Sequence, residues 1–302
     1  MESLLQNTGY THYEILIVDN LSKDPASTAW LQGIGQIDPQ RFRIVSNDGS
    51  KDIYTMKNLG AQAAQGDLLV FVDPCIQFIE SSWLDSLINH AQRPKVGAVG
   101  VKLVDSSLNV FSAGYVLGMM KGNENAFVGE RFDDIGYLQR LSVDQAYSAM
   151  SSRCVMVRKS HFESVGGFKA SKGRNTETDI DFCLKIKALG LDNIWTPHAV
   201  AQWGPEIRAA KKSKSDNYLP SDAFLNDWLP AIARDPAYNK NLTLVGKPFS
   251  VEPMLEMTWR PLSWRPSPVI LAHPSDDTGC GQYRVIKPFT AMMQEGNGDG
   301  LI

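Results

Sequence analysis

The sequence has few cysteines, no long apolar run and no excess of charge of one sign. Only four cysteines occur in 302 residues, and their positions match neither CxxC nor metal-finger spacing. A zinc finger and a disulfide framework are therefore not expected. The longest uninterrupted apolar run, residues 68–72, is far shorter than the ~20 residues that span a bilayer. With 30 basic and 33 acidic residues, the chain lacks the overall basic character that attracts nucleic acid.

The amino terminus also lacks a targeting signal. The first residues, MESLLQNTGYTHYE, contain neither the basic start nor the apolar stretch of a signal peptide, so the expected location is the cytoplasm. Free thiols suit that reducing compartment, and no disulfide is expected. Because no spanning segment is evident, contact with a membrane is expected to be peripheral at most, at its inner face.

The first third of the chain alternates short aliphatic strands with amphipathic helices. Near-continuous apolar runs, typical of strands that are buried on both faces, occur at residues 13–20, 41–48, 67–73 and 96–104. Helices are expected between them, for example at residues 81–92. This alternation predicts an α/β fold with a mostly parallel sheet flanked by helices.

Changes in composition divide the chain into three parts. A core is predicted over residues 1–204, with its clearest helix at 175–190, and a charged connector with a helix is predicted over residues 205–258. Residues 259–302 begin with a proline-rich stretch and continue as a strand, a Gly-containing loop and a helix. They are interpreted as a stiff linker followed by the start of a second domain.

Three acidic residues stand where a ligand could bind. Asp19 and Asp73 each end a predicted strand, and open α/β sheets bind ligands outside the carboxyl ends of their strands. Asp179 lies near the start of the helix at 175–190. Each residue also has a simpler interpretation, because Asp commonly starts turns and acidic residues favour a helix N-terminus. Position alone does not decide between a shared cleft and these local roles.

Four segments in succession resemble a known family. YEILIVDN, KNLGAQAAQGDLLVFVD, SSRCVMVRKSHFESVGGF and TETDIDFCLKIKALG follow one another as in the inverting family 2 glycosyltransferases of the GT-A fold. The resemblance covers roughly residues 3–204 and implies the Rossmann-like fold of nucleotide-diphospho-sugar transferases. It also implies that Asp19 contacts the nucleotide base. Asp73 would open a DxD motif that holds the ribose and a divalent cation, and Asp179 would be the catalytic base.

The reaction implied by this resemblance is the transfer of a sugar with inversion. The donor would be a UDP-sugar or another nucleotide-diphosphate sugar, and the acceptor would be a glycan or a lipid-linked hydroxyl, as in surface-polysaccharide assembly. Mg²⁺ or Mn²⁺ held by hard carboxylate oxygens would neutralise the leaving diphosphate. A carboxylate on the opposite side of the sugar would take the proton of the attacking hydroxyl.

Two residues depart from the family pattern at the implied metal site. The DxD position reads Asp73-Pro74-Cys75, so the soft thiol of Cys75 would join Asp73 as a metal ligand in place of a carboxylate. Trp203 stands where the family often has a histidine ligand. Three outcomes are open: weak metal binding, a Lys or Arg in place of the ion, and a catalytically silent domain that binds nucleotide or glycan or serves as a scaffold.

The resemblance also bears on the two ends of the chain. Family members have a strand before the helix that corresponds to MESLLQNTG, so the sequence predicts a sheet with unpaired strand edges. Residues 269–296 resemble the opening of a GT-B-type glycosyltransferase domain, whose first Gly-rich loop faces the donor phosphates. A multidomain protein with a downstream transferase domain is the expectation.

Overall fold

A computed structural model provides the structure of this chain. The described residues are 1–47, 49–119, 123–172, 174–204, 220–239, 241–252, 262, 264, 269–295 and 297–301. These ranges leave out residues 205–219 of the predicted connector. They also leave out most of the predicted linker at 259–268.

The chain divides into two units. The first comprises Met1–Val116 and Asn125–Asn217, and the second comprises Leu117–Glu124 and Tyr218–Ile302. The predicted domain boundaries after residues 204 and 258 stay predictions. Within the described residues, no helix combines the length and the apolar character that crossing a bilayer requires.

Among the described residues, the first unit contains six α-helices, a short 3-10 helix (Tyr137–Gln139) and most of the strands. The helices are α1 (Glu2–Gln6), α2 (Pro25–Ile37), α3 (Ile53–Ala63), α4 (Trp83–Ala91), α5 (Lys159–Ser164) and α6 (Asn175–Ala188). The strands are β1 (Ile15–Asp19), β2 (Phe42–Ser46), β3 (Leu68–Val72), β4 (Ile76–Phe78), β5 (Val96–Val104), β6 (Val110–Ser112), β7 (Tyr115–Leu117), β8 (Asn123–Asn125), β9 (Gln145–Tyr147), β10 (Cys154–Arg158) and β11 (Asp192–Trp203), of which β7 and β8 lie where the two units meet along the chain. All four strands predicted in the first third are confirmed.

Local sequence signals set the starts of two helices. The Asp24 side chain accepts a hydrogen bond from the amide of Ser27 at 2.9 Å and caps α2. The Asp52 side chain caps α3 in the same way, with the amide of Thr55 at 2.9 Å. Such caps satisfy backbone donors that have no partner inside the helix. The caps therefore fix where the helices that follow β1 and β2 begin.

The central sheet has seven strands and is mixed. Its path is β3-β10-β5-β11-β4, with β6 paired to β5 and β9 paired to β11. Only the β5–β11 pairing is parallel, and the other pairings in this sheet are antiparallel. The α/β class is confirmed, whereas the expectation of a mostly parallel sheet is wrong. Strand–helix alternation describes the first third, but β10 returns after an excursion of short strands and enters the sheet in the opposite direction.

Strands β1 and β2 form a separate parallel pair. Their register runs from Ile15 opposite Phe42 to Asp19 opposite Ser46. Among the described residues, β1 pairs only with β2 and β3 pairs only with β10. Within the described residues, each of these strands therefore has one edge without a strand partner. The surroundings of β1 and β2 expose apolar surface as well, since Trp30 is 48% and Ile37 is 81% exposed.

Strand β5 lies at the centre of the core and leaves no room for extra atoms. All nine of its residues are buried, and α4 packs against the same sheet, with Trp83 stacked on Phe78 at 3.6 Å between ring centroids. A Cβ added at Gly97 would lie 2.1 Å from Ile186 Cγ2 and 3.0 Å from Leu191 Cβ. Gly97 is therefore a site where α6 and the following loop approach the strand closely.

Replacing Gly97 with alanine is expected to lower the free energy of unfolding by ~1–3 kcal/mol, because the buried side chain of Ile186 must shift. The matched control is Gly33→Ala on the exposed side of α2, where an added Cβ meets nothing within 4 Å. That change is expected to raise stability by ~0.5–1 kcal/mol through helix propensity. Urea unfolding of both variants measures the two effects, and a similar effect of the two substitutions would contradict the close packing at Gly97.

The second unit contains helix α7 (Asp222–Ala233), capped by the hydroxyl of Ser221, which accepts a hydrogen bond from the amide of Phe224. Its later part contains β12 (Val269–Leu271), α8 (Gly279–Gly281), α9 (Lys287–Gln294) and β13 (Asp299–Leu301). Strands β12 and β13 pair in parallel, so this segment is a strand–helix–strand unit. The predicted strand and helix are confirmed, and their membership in a second transferase domain stays a prediction. All three residues of β12 are exposed.

Candidate active site

Asp73 stands directly after β3 and lies between two cationic side chains. The Lys57 ammonium of α3 is 3.0 Å from Oδ1 in an ion pair that lacks hydrogen-bond geometry. Arg153, just before β10, donates from Nη1 to Oδ2 at 3.2 Å. The antiparallel pairing of β3 and β10 brings these residues together, since the amide of Asp73 donates to the carbonyl of Arg153 at 2.8 Å. Asp73 is buried, with 8% of its surface exposed.

Asp179 is a buried carboxylate held by two phenols. Tyr54 of α3 donates to Oδ1 at 2.7 Å, and Tyr115 of β7 donates to Oδ2 at 3.3 Å. Because α6 begins at Asn175, Asp179 lies in the second turn of the helix. Its partners come from other elements of the first unit. The interpretation of Asp179 as a helix-terminal acid is therefore wrong, and its carboxylate is held by tertiary contacts.

Burial changes the proton affinity of this carboxylate. It raises the pKa of Asp179 above the ordinary value, while the charge of Lys57 and hydrogen bonds from Ser152 and Tyr54 oppose that shift. Burial and the nearby charge of Asp179 also raise the pKa values of Tyr54 and Tyr115. Both phenols therefore keep their protons at neutral pH and remain donors to Asp179.

Ser152 connects the two carboxylates. Lys57 donates from Nζ to the carbonyl of Ser152 at 2.6 Å and lies 3.2 Å from its Oγ, and Ser152 also hydrogen-bonds to Asp179. Asp73 and Asp179, which are far apart in the sequence, thus belong to one polar network. We call these five residues, Lys57, Asp73, Ser152, Arg153 and Asp179, the charged cluster.

Asp19 lies outside the charged cluster. It ends β1, is partly exposed, and accepts hydrogen bonds from the amide of Ser22 at 3.3 Å. Among the described residues, no hydrogen bond or ion pair joins it to Asp73 or Asp179. Asp19 instead lines an open groove together with Ile17, Ser22 and Trp30. This groove combines a carboxylate with an exposed aromatic ring.

Of the two departures from the family pattern, Trp203 contacts the charged cluster and Cys75 contacts Gly204. Cys75 is in the turn between β3 and β4, and its carbonyl accepts from the amide of Gly204 at 3.1 Å. Trp203, at the end of β11, stacks on Phe111 at 4.6 Å between ring centroids. The guanidinium of Arg153 lies over the Trp203 ring, 4.7 Å from its centroid. Trp203 therefore packs against a cation.

The side chains of Asp73 and Cys75 are poorly suited as ligands of a divalent cation. Both oxygens of Asp73 already face a side-chain cation, and the thiol of Cys75 is a poor ligand for Mg²⁺ or Mn²⁺, which prefer oxygen. Over the ranges that the structure describes, no group of three His, Cys, Asp or Glu residues has the geometry to hold a metal ion. A divalent cation would therefore have to displace Lys57 or Arg153 from Asp73.

Lys57, Arg153, Tyr54 and Tyr115 were not predicted as site residues from the sequence. One signal was present, because Tyr54 and Lys57 are three residues apart in a predicted helix and so share a face. That face points to both Asp73 and Asp179. Arg153 gave no signal of this kind, since its partner depends on the pairing of β10 with β3.

Comparison with known proteins agrees with this fold. The profile described as Glycosyl transferase family 2 matches residues 1–166. An uncharacterised protein of Sinorhizobium fredii, y4gI, is 31% identical over 252 residues, covering 81% of this chain and 27% of the relative. The O-antigen biosynthesis protein RfbC of Myxococcus xanthus is 32% identical over 254 residues, covering 81% of this chain and 19% of the relative. The chain thus spans less than a third of either relative.

Solved structures share the GT-A fold. GalNAc-T7, solved with UDP, GalNAc and Mn²⁺, gives a TM-score of 0.54 at 14% identity, covering 67% of this chain and 40% of the other. The mannosyltransferase PcManGT from Pyrobaculum calidifontis, solved with GDP-Man and Mn²⁺, gives 0.50 at 18% identity, covering 69% and 53%. Because the family profile covers more than half of the sequence and the fold agrees, the chain belongs to glycosyl transferase family 2.

Proposed function

We propose that this chain transfers a sugar from a nucleotide-diphosphate donor to a hydroxyl of a glycan or lipid-linked acceptor, with inversion, in the assembly of a polysaccharide. The observation that carries the proposal is the buried Asp179 carboxylate, oriented by Tyr54 and Tyr115 beside a cationic cluster. A base and a site for a leaving anion are the two components that such a displacement needs. The family and the O-antigen relative support the reaction class.

Asp179 has the properties of a general base. Burial raises its pKa and makes it a stronger proton acceptor than an exposed carboxylate, while the charge of Lys57 opposes that shift. The two phenol hydrogen bonds hold the carboxylate in one orientation. The acceptor hydroxyl would give its proton to Asp179 as its oxygen attacks the anomeric carbon.

Asp19 and Asp73 are proposed to bind the nucleotide part of the donor. The groove at Asp19 offers a carboxylate that can accept from a base N–H and the exposed ring of Trp30, which can stack on a base. Asp73, directly after β3, would position the ribose. The solved neighbours carry UDP or GDP-Man, so both nucleotides are the first to test.

Donor hydrolysis tests this function without knowledge of the acceptor, because water can take the place of the acceptor hydroxyl. The chain is incubated with UDP-glucose, UDP-N-acetylgalactosamine and GDP-mannose, and release of the nucleoside diphosphate is measured, followed by transfer to glycan acceptors. Release with at least one donor, lost in Asp179→Asn, is the expected result. Absence of release with any donor, or equal rates in native chain and variant, would contradict the proposed function.

The pH profile reports on Asp179. Because its pKa is raised, the acid limb of kcat/KM is expected at higher pH than for an ordinary carboxylate. The groups facing it are Tyr54 and Lys57 of α3, Tyr115 of β7 and Ser152, and the Tyr54 hydrogen bond favours the charged form. Tyr54→Phe should therefore move the acid limb further up in a profile from about pH 4 to about pH 9. An unchanged acid limb in this variant would contradict the assignment of that limb to Asp179.

A second candidate is a catalytically silent module that binds nucleotide or glycan or serves as a scaffold. It is favoured by Cys75 and Trp203, which occupy the two positions where metal ligands are expected. This alternative predicts binding of UDP or GDP without donor hydrolysis. It also predicts that Asp179→Asn leaves the affinity for either nucleotide unchanged. The hydrolysis assay therefore separates it from the enzyme.

A further inference from the structure

We propose that Arg153, supported by Lys57, supplies the positive charge that neutralises the donor diphosphate, so that the chain binds and uses its nucleotide sugar without a divalent cation. This inference rests on the proposed function and deepens it, since it assigns how the same site handles its leaving group. Of the outcomes that the sequence leaves open at the Asp73-Pro74-Cys75 turn, it corresponds to a Lys or Arg in place of the metal ion.

Asp73 is already paired with two cationic side chains. Its two oxygens face Lys57 and Arg153 at 3.0 and 3.2 Å, and the side chains of Asp73 and Lys57 are each only 10% exposed. A divalent cation would have to displace one of these partners and lie beside the other. Lys57 and Arg153 already neutralise Asp73, so this carboxylate attracts a further cation only weakly, and the partly exposed guanidinium of Arg153 can attract an anion.

Arg153 has N–H donors that remain available to a ligand. Its side chain is 33% exposed, and within the described residues its guanidinium hydrogen-bonds to a side chain only through Nη1, to Asp73. A guanidinium has five N–H donors in a planar fork that matches two phosphate oxygens. Arg153 can therefore keep its bond to Asp73 and still offer donors to a diphosphate.

The departure at Trp203 involves the same arginine. The Arg153 guanidinium lies 4.7 Å from the Trp203 ring centroid and 5.6 Å from that of Phe111, and the two rings stack on each other. A cation over an aromatic face is stabilised by the ring quadrupole. Trp203 thus fixes the orientation of Arg153. Where a histidine would bind a metal ion, Trp203 instead holds the cationic side chain of Arg153.

The chemistry balances without a metal ion. The bond between the anomeric carbon and the diphosphate oxygen breaks, and its electron pair stays on that oxygen. The acceptor oxygen forms the new bond to the anomeric carbon, and its proton passes to Asp179. The guanidinium of Arg153 is a permanent cation and stabilises the developing charge on the diphosphate by hydrogen bonding.

Calorimetric titration tests the inference, with UDP and GDP as probes. The native chain is titrated in EDTA and again with Mn²⁺, and Arg153→Gln is compared with the control Arg131→Gln, which removes an exposed arginine paired with Asp133. We expect the affinity of at least one diphosphate to differ by less than about twofold between EDTA and Mn²⁺, and to fall about tenfold or more in Arg153→Gln. The corresponding nucleoside, which has no phosphates, should bind native chain and Arg153→Gln alike, and Arg131→Gln should bind like the native chain.

Several results would overturn the inference. They are a gain of about tenfold or more with Mn²⁺, unchanged diphosphate affinity in Arg153→Gln, an equal loss for the nucleoside, and no binding of either diphosphate under any condition. Circular dichroism of Arg153→Gln separates lost contacts from lost folding, and Arg153→Lys, which keeps the charge, should recover part of the affinity. Donor hydrolysis that requires Mn²⁺ would overturn this inference while leaving the proposed function in place. Metal-free binding without hydrolysis would instead contradict the proposed function.

Discussion

Replacing Asp179 with asparagine is expected to lower the rate of donor turnover by a factor of ~10²–10⁴, the usual contribution of a general base, while the fold persists. Asparagine keeps the shape of the side chain and can still accept the hydrogen bond of Tyr54. It cannot take a proton from the acceptor. Initial rates of nucleoside diphosphate release at saturating donor measure the effect, and the affinity for UDP or GDP should change little.

The matched control is Asp181→Asn, two residues further along α6. Asp181 is also buried, and its carboxylate pairs with Lys185 at 2.6 Å, so the control tests whether any neutralised acid in this helix impairs the chain. Turnover should survive in Asp181→Asn. A loss of similar size in both variants, or full turnover in Asp179→Asn, would remove Asp179 from the role of base.

The second large effect is on stability, at Asp73. Asp73→Asn leaves Lys57 and Arg153 facing a neutral amide, so both cations lose an ion-pair partner at a mostly buried site. Removing one partner of a buried ion pair costs ~3–5 kcal/mol, and the partial exposure of Arg153 places the expected loss near the lower end, at ~3 kcal/mol. Urea unfolding at neutral pH measures it.

The control for this prediction is an exposed pair. Asp133 pairs with Arg131 at 3.0 Å, and their side chains are 56% and 65% exposed. Asp133→Asn should cost no more than ~1 kcal/mol, as exposed pairs do. Equal losses in the two variants would show that the Lys57–Asp73–Arg153 arrangement is not a buried, interdependent network.

The strands of the first third could be predicted because their signal is local. The runs at 67–73 and 96–104 are apolar and end sharply, and they correspond to β3 and β5 within one residue at each end. The direction of β10 could not be predicted, because it depends on how the chain returns after the short strands that precede it. The mixed character of the sheet is therefore a tertiary property.

The candidate site divides in the same way. Asp73 and Asp179 could be proposed from strand ends and from the resemblance, and the structure joins them through Lys57 and Ser152. The departure at Cys75 was also visible in the sequence. What replaces the missing ligands was not visible, because Arg153 acquires its partners only when β10 pairs with β3 and Trp203 ends β11 beside it.

The charged cluster gives the departures from the family pattern a common physical basis. A hard-ligand metal site needs several oxygens around an empty centre, whereas here the carboxylate of Asp73 is already neutralised by side chains of the same chain. The family fold is retained, Asp179 is the proposed base, and the charge that faces the leaving group is proposed to come from Arg153. The surroundings of the base and of the leaving group are therefore separately testable.

The most direct test of the account is proton NMR of donor hydrolysis by the native chain in EDTA, with UDP-glucose and GDP-mannose as α-linked donors. The account predicts metal-free release of the β-anomer, observed before it equilibrates in water, and no release by Asp179→Asn. Release of the α-anomer first, or release only after Mn²⁺ is added, would contradict it.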